Sequence, residues 1–266
     1  MLDLEFSLFS DRGPTRQRNE DYIGTVLPET PQDIRTRGWL FALADGVGGH
    51  NFGNVASRTA VESVRDGFRR APSSELLPTT LTRLIQQASS SIFAAASAIG
   101  PEGSGMATTL VLCALRYDRA VVAHVGDSRC YRIRGGTLSI LTKDHTVANE
   151  QQLMGLITAQ ELSSSENRHL LSRSLGMDFF VTPDIAEIQV QSGDLFVLCS
   201  DGLHNGVANA DMLRIISQGG DLQALAKQLA QHAMDTDGSD NVSVMLIRVR
   251  DVERIGMYRG RPYKIR

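Results

Sequence analysis

Five short apolar runs constrain this chain most: WLFALADG at 39–46, TTLVLCALR at 108–116, AVVAHVGD at 120–127, DLFVLCSDG at 194–202 and NVSVMLIRV at 241–249. Nearly continuous apolar stretches of roughly four to eight residues, bounded by turn signals, fit strands buried on both faces. LEFSLFS at 4–10 alternates instead, with Leu4, Phe6 and Leu8 set against Glu5 and Ser7, the period of a half-buried strand. CYRIRGGTLSIL at 130–141 reads as a hairpin turning at Gly135-Gly136.

Helical spacing appears in three places. Leu77, Leu81, Leu84, Ile85, Ala88, Ile92 and Ala95 form one apolar stripe, and Val55, Ala60, Val64 and Phe68 another over about 54–68. The third covers about 221–234, with Asp221 as N-cap. The segment 146–170 is polar and weakly patterned, which suggests a surface subdomain. Most strands follow one another by hairpin-length turns, with two helices grouped between, so strict βαβα alternation is absent. Antiparallel sheets covered by helices are the expectation.

The 266 residues are 42% hydrophobic and 21% charged, enough apolar material for one domain, and no linker-like stretch divides it. A net charge of −3 argues against general nucleic-acid binding. Cys113, Cys130 and Cys199 sit in apolar runs without CxxC spacing, as reduced, buried thiols of a cytosolic protein would. MLDLEFSLFSDRG lacks the layout of a signal peptide, and no apolar run approaches the ~18 residues that span a bilayer. The expectation is a soluble, cytoplasmic chain.

Three of the apolar runs end in an aspartate and a turn: Asp45-Gly46, Asp127-Ser128 and Asp201-Gly202. Asp240 stands directly before the run at 241–249, and Asp21 before a shorter strand. Taken singly, each is ordinary turn chemistry, because Asp bonds its own backbone and Gly takes positive φ. As a set they differ, since strand ends converge at one edge of a sandwich. Clustered carboxylates repel unless protonated or neutralised by cations, and hard divalent ions suit oxygen ligands. The six histidines show no HxxxH or HExxH spacing, so nothing rivals that reading with a zinc pattern.

SDRGPTRQRNEDY (10–22), LADGVGGHNFGNVAS (43–57), GMATTL (105–110), HVGDSRCY (124–131), KDHTV (143–147), SRSLG (172–176), LCSDGL (198–203) and GSDNVSV (238–244) follow one another along the chain. This ordered set resembles the motifs of the metal-dependent protein phosphatases, the PPM or type 2C family of Ser/Thr phosphatases, and its bacterial branch in particular. The resemblance runs from about residue 6 to 249. It implies an α+β fold, a four-layer α/β/β/α sandwich of two antiparallel sheets flanked by helices. The phosphatase domain would span 1–249, with a flap at about 146–170 and a basic tail at 250–266.

The resemblance also implies a binuclear Mn²⁺ or Mg²⁺ centre, with a possible third ion. Asp45 matches the bridging aspartate, the Gly46 carbonyl a ligand, and Asp201 and Asp240 ligands of one ion. Asp21 would act largely through bound water, and Asp127 with Asp201 would hold the third metal. Arg16 matches the arginine that grips the substrate phosphate, and His50 the candidate for protonating the leaving alkoxide. The implied reaction is hydrolysis of phosphoserine and phosphothreonine in proteins by an activated water, without a covalent intermediate, opposing a Ser/Thr kinase. The implied partners are phosphoproteins, with no nucleic acid and no membrane, and the protein a monomer.

Some residues depart from the pattern. Asn54 stands where relatives usually carry Glu, Val47 where eukaryotic relatives carry His, and the flap lacks the usual His-Pro. Other features read as structural. Thr108 and Thr109 fit a strand start, with the positioning of a loop near the site as the alternative; His124 fits a core side chain, and Ser200 has no nucleophile elbow around it. The tail, with six basic and two acidic residues, reads as a solvated terminus. A catalytically weak scaffold would lack a metal ligand, and none is missing. A phosphatase of small esters, or of one dedicated phosphoprotein, would carry the same centre.

Overall fold

The computed structural model describes residues 2–47 and 52–252, with backbone alone at 163–164, 255–258 and 261–264. Its strands are β1 (Asp3–Asp11), β2 (Asp21–Val26), β3 (Trp39–Asp45), β4 (Leu110–Arg116), β5 (Arg119–Val125), β6 (Arg129–Arg134), β7 (Thr137–Ile140), β8 (Asp184–Gln189), β9 (Leu195–Cys199) and β10 (Val242–Asp251). They form two five-stranded antiparallel sheets, ordered β1-β10-β9-β6-β7 and β2-β3-β4-β5-β8. The helices are α1 (Pro31–Thr36), α2 (Gly53–Arg70), α3 (Leu77–Ile99), α4 (Val147–Leu153), α5 (Ala159–Ser164), α6 (Asp201–Gly206), α7 (Asn209–Ile216) and α8 (Leu222–Thr236).

The continuous apolar runs have a simple cause: each strand faces two cores. In β3, Phe41 and Leu43 point between the sheets, while Leu40, Ala42 and Ala44 pack under α2 and α3. β4 divides the same way, with Val111, Cys113 and Leu115 on one side and Leu110, Leu112 and Ala114 on the other. In the other sheet Phe196, Leu198, Met245 and Ile247 face inward, and Val197, Val244 and Leu246 meet Leu203, Met212, Leu225 and Leu229 of α6–α8. The result is the expected four-layer α/β/β/α sandwich. Each fully buried Leu or Phe adds about 1.5–3 kcal/mol of hydrophobic stabilisation, so the two-sided burial is what holds the layers together.

The three expected helices are present as α2, α3 and α8. Asp221 caps α8, its carboxylate accepting from the Ala224 N–H at 2.9 Å. The 130–141 hairpin is β6–β7. One turn is corrected: Asp201-Gly202 opens α6 rather than turning the chain. An acidic residue is favoured in the first turn of a helix. Gly202 is required for packing, because a Cβ there would lie 2.1 Å from the Asn241 carbonyl oxygen. The 146–170 segment is not patternless but holds α4, α5 and a 3₁₀ turn at Glu166–His169. In the tail, β11 (Ile255–Tyr258) and β12 (Arg261–Lys264) pair antiparallel with each other, where the sequence suggested only a solvated terminus.

One buried side chain ties two distant loops together. The Asn241 amide oxygen accepts from the Glu20 N–H at 2.8 Å, and its nitrogen donates to the Arg12 and Arg18 carbonyls at 2.7 and 2.9 Å. This holds the 12–20 loop, which carries Arg16, against the loop bearing Asp240. Asn241→Ala leaves these buried groups unpartnered and is expected to destabilise the fold by about 2–4 kcal/mol. Urea unfolding checks this; an unchanged midpoint contradicts it.

Candidate metal centre

Pairing register and topology bring the five aspartates together. Asp21, the first residue of β2, lies opposite Asp45, the last of β3. Asp127 follows β5, Asp201 opens α6 directly after β9, and Asp240 immediately precedes Asn241 and β10. β3 and β5 belong to one sheet and β9 and β10 to the other, so the carboxylates meet where the two sheets share an edge.

Their electrostatics show the convergence. Burial pushes Asp21 up to about 7, with Asp201 and Asp240 adding to the shift and hydrogen bonds from Ser243 and Ser200 opposing it. Burial also drives Asp127 to about 8, reinforced by Asp201 and Asp144. Asp45 is raised well above the usual carboxylate range by burial and then by Asp21, Asp201, Asp127 and Asp240. Asp201 is raised by burial and Asp240, against a hydrogen bond with Asp45. Like charges held this close in a partly dry site disfavour one another.

Neighbouring groups fix the positions. Thr108 and Thr109 do more than begin a strand. The Asp45 N–H donates to Thr109 Oγ1 at 3.0 Å, and Thr108 Oγ1 donates to the Asp45 carbonyl at 2.7 Å. Thr109 Oγ1 in turn bonds Ser128 Oγ at 2.7 Å. Ser200 is not a nucleophile: its hydroxyl donates to Asp21 Oδ2 at 2.7 Å and accepts from the Ser243 N–H. Gly46 donates its N–H to the Glu20 carbonyl, and a Cβ there would lie 2.2 Å from the Gly53 carbonyl oxygen. Arg16 sits at the rim, its guanidinium donating to Asp240 Oδ2 at 2.6 Å and to the Ser239 carbonyl at 3.2 Å. His50 lies outside the described residues.

The donor set fits hard divalent cations. Asp21 Oδ1 and Asp201 Oδ1 are buried without a hydrogen-bond partner among the described residues. Buried anionic oxygens are normally paired or ligate metal. A cleft of about 1060 Å³ opens above them, lined by Arg16, Asp45, Gly46, Asp127, Asp201 and Asp240. A second, of about 700 Å³, shares Arg16, Asp127, Asp201 and Asp240 and extends beneath the 146–170 segment.

A second cluster escaped the sequence reading because its members are 60 residues apart. His124, His145 and Asp184 place ligand-type atoms within 4.8 Å of one another. The two rings stack at 4.7 Å, and His124 Nε2 bonds the Lys143 backbone at 2.8 Å, as expected of a satisfied core histidine. The Gly126 N–H donates to His145 Nδ1 at 3.1 Å. That bond assigns the proton of the neutral ring to Nε2, which faces Asp184 Oδ2 at 3.4 Å. Burial pushes His145 down to about 4, so it stays neutral at pH 7. In that tautomer Nε2 offers Asp184 a proton rather than a lone pair, which fits a structural contact at the edge of β5.

The family model described as protein phosphatase 2C matches residues 16–243. The chain is 33% identical to the serine/threonine phosphatase stp of Listeria innocua over 255 residues, covering 95% of this chain and 96% of that one. Among solved structures, the Mycobacterium tuberculosis serine/threonine phosphatase PstP/Ppp superposes with a TM-score of 0.82 at 31% identity, covering 94% of this chain and 100% of the other. The catalytic domain of PstP in complex with two manganese ions gives 0.79 at 32%, with coverage of 94% and 100%. A match over most of its length, on the residues just described, places this chain in the protein phosphatase 2C family.

Carboxyls whose folded-state values are raised bind protons more tightly folded than unfolded. Their contribution is therefore favourable below the unfolded value near 4 and is lost as pH rises towards about 7 for Asp21 and about 8 for Asp127. In EDTA, the melting temperature is expected to fall from pH 5.5 to pH 8 through these groups, and Asp127→Asn to flatten the slope. Added Mn²⁺ should stabilise more at pH 8 than at pH 5.5. Equal metal stabilisation at both pH values contradicts the account.

Proposed function

We propose that this chain hydrolyses phosphoserine and phosphothreonine in proteins at the five-carboxylate centre, with two divalent ions, Mn²⁺ or Mg²⁺, and a third more weakly held. The observation that carries this reading is the meeting of Asp45, Asp127, Asp201 and Asp240 in one cleft with Arg16 at its rim, and with Asp21 buried close enough to raise the proton affinity of Asp45. Asp45, the Gly46 carbonyl, Asp201 and Asp240 would hold the main pair of ions. Asp21 would act through water, and Asp127 with Asp201 would take the third. Bound there, the ions supply positive charge against a dianionic phosphate and make an attacking water acidic enough to ionise near neutral pH.

The chain's own residues orient the reaction. Arg16 is already aimed by Asp240 and the Ser239 carbonyl. A guanidinium has five N–H donors, more than these two contacts use, and its planar fork suits two phosphate oxygens at once. Ser200 holds Asp21 through Oδ2 and leaves the buried Oδ1 without a hydrogen-bond partner among the described residues. The Asp45 backbone is held at both its N–H and its carbonyl by Thr109 and Thr108, which fixes where its side chain starts. The proton for the leaving alkoxide is assigned to His50 on the resemblance alone. The cytoplasm as compartment, a monomer as the working state and a Ser/Thr kinase as counterpart complete the proposal.

Hydrolysis of p-nitrophenyl phosphate and a phosphothreonine peptide, with Mn²⁺, with Mg²⁺ and after EDTA, tests this reading. Turnover should require the metal and fall roughly a hundredfold or more in Asp201→Asn, because a lost ion contact forfeits several kcal/mol of transition-state stabilisation. Turnover that survives EDTA contradicts it.

A further inference from the structure

The cleft above the acidic centre does not end at the carboxylates. It continues to a wall made by Leu170, Met177, Phe180 and Val181. Phe180 is 76% exposed and Met177 57%. Single exposed apolar residues need no explanation, but a contiguous set lining one cleft does.

The wall is held rigid. Gln86 of α3 clamps the loop with both ends of its amide: Nε2 donates to the Phe179 carbonyl at 2.6 Å, and Oε1 accepts from the Val181 N–H at 3.1 Å. Ser89 Oγ donates to the Asp178 carbonyl and accepts from the Gly176 N–H, each at 3.2 Å. Phe179 meets Phe93 edge-on at 6.0 Å and Phe180 at 4.9 Å, so the Phe180 ring is braced while its other face stays open. The loop is also tied to the centre. Leu175 and Thr108 exchange backbone hydrogen bonds at 3.1 and 2.9 Å, and Thr108 holds the Asp45 carbonyl.

An aromatic ring presented on a pinned loop can bind with little further loss of conformational freedom. We propose that Phe180 and Met177 form a specificity subsite for a large apolar side chain of the substrate polypeptide, close in sequence to its phosphorylated residue. The enzyme would then favour phosphorylation sites flanked by an apolar residue. The occupant is a polypeptide because one molecule must place a phosphate beside Arg16 and an apolar group against Phe180 within the same continuous cleft. A small phosphate ester has nothing to put there. The inference rests on the phosphatase reading above.

The test uses the full chain with Mn²⁺ and phosphothreonine peptides that differ only by Leu or Ser at each flanking position in turn. In the wild type, Leu at one position should raise kcat/KM about tenfold, mainly through KM, the usual worth of a modest apolar contact. Phe180→Ser should bring that Leu-to-Ser ratio close to one, and Phe180→Leu should keep most of it. The proposal is overturned if the wild type shows no such ratio, or if Phe180→Ser retains it. It is also overturned if sedimentation shows a dimer that Phe180→Ser dissociates, since a second copy would then cover the wall. Wild-type turnover of p-nitrophenyl phosphate, measured alongside, separates the two failures: without it the phosphatase reading falls and takes the subsite with it.

Discussion

Mutual repulsion among buried carboxylates is the constraint on which the rest of this structure depends. Asp21, Asp45, Asp127 and Asp201 all have raised proton affinities, caused first by burial and then by one another or by Asp240. Left to itself, such a cluster would open or take up protons. Asp21 and Asp45 cannot simply part, because they are locked opposite each other in the β2–β3 ladder, and the Asp45 backbone is held again by Thr108 and Thr109. What remains is an electrostatic deficit that cations of the right hardness relieve. The same feature that weakens the metal-free fold is what makes the site select metal.

The layered architecture supplies that resistance. Strands with two buried faces cannot slide by one residue without moving an apolar set to the wrong core. The ends of β3, β5 and β9 are therefore as fixed as their middles, and the residues just beyond them inherit that precision. The loop carrying Arg16 has no strand of its own and depends on Asn241, whose amide bonds Glu20, Arg12 and Arg18. The loop carrying Arg16 and the segment carrying Asp240 are thus joined by one buried asparagine.

Much of this was legible in the sequence, for identifiable reasons. Apolar runs such as 39–46 and 241–249 announce two-sided burial, and the aspartates at strand ends mark where the clustered carboxylates stand. The Asp221 cap and the Gly135-Gly136 turn are local and were readable locally. Asp201-Gly202 was not, because helix start and turn use the same residues. β8 escaped because it is an edge strand, exposed at Ile185, Glu187 and Gln189, and is assigned by pairing with β5. The positioning work of Ser200 and Asn241 was invisible too, since hydrogen bonds between residues far apart in sequence leave no periodic trace. The His124–His145–Asp184 cluster was equally invisible: it has metal-like spacing in space, yet its members are spread from residue 124 to residue 184.

The central claim is that the carboxylates give up their protons to hold divalent ions. Calorimetric titration of the metal-free protein with Mn²⁺ at pH 7, repeated in buffers of different ionisation enthalpy, measures it directly. Carboxyls raised to about 7 and about 8 are partly protonated there, so binding should release protons into the buffer. The apparent enthalpy should change with the buffer, and Asp45→Asn should abolish tight binding. Binding that releases no protons, or that survives Asp45→Asn undiminished, would contradict the account.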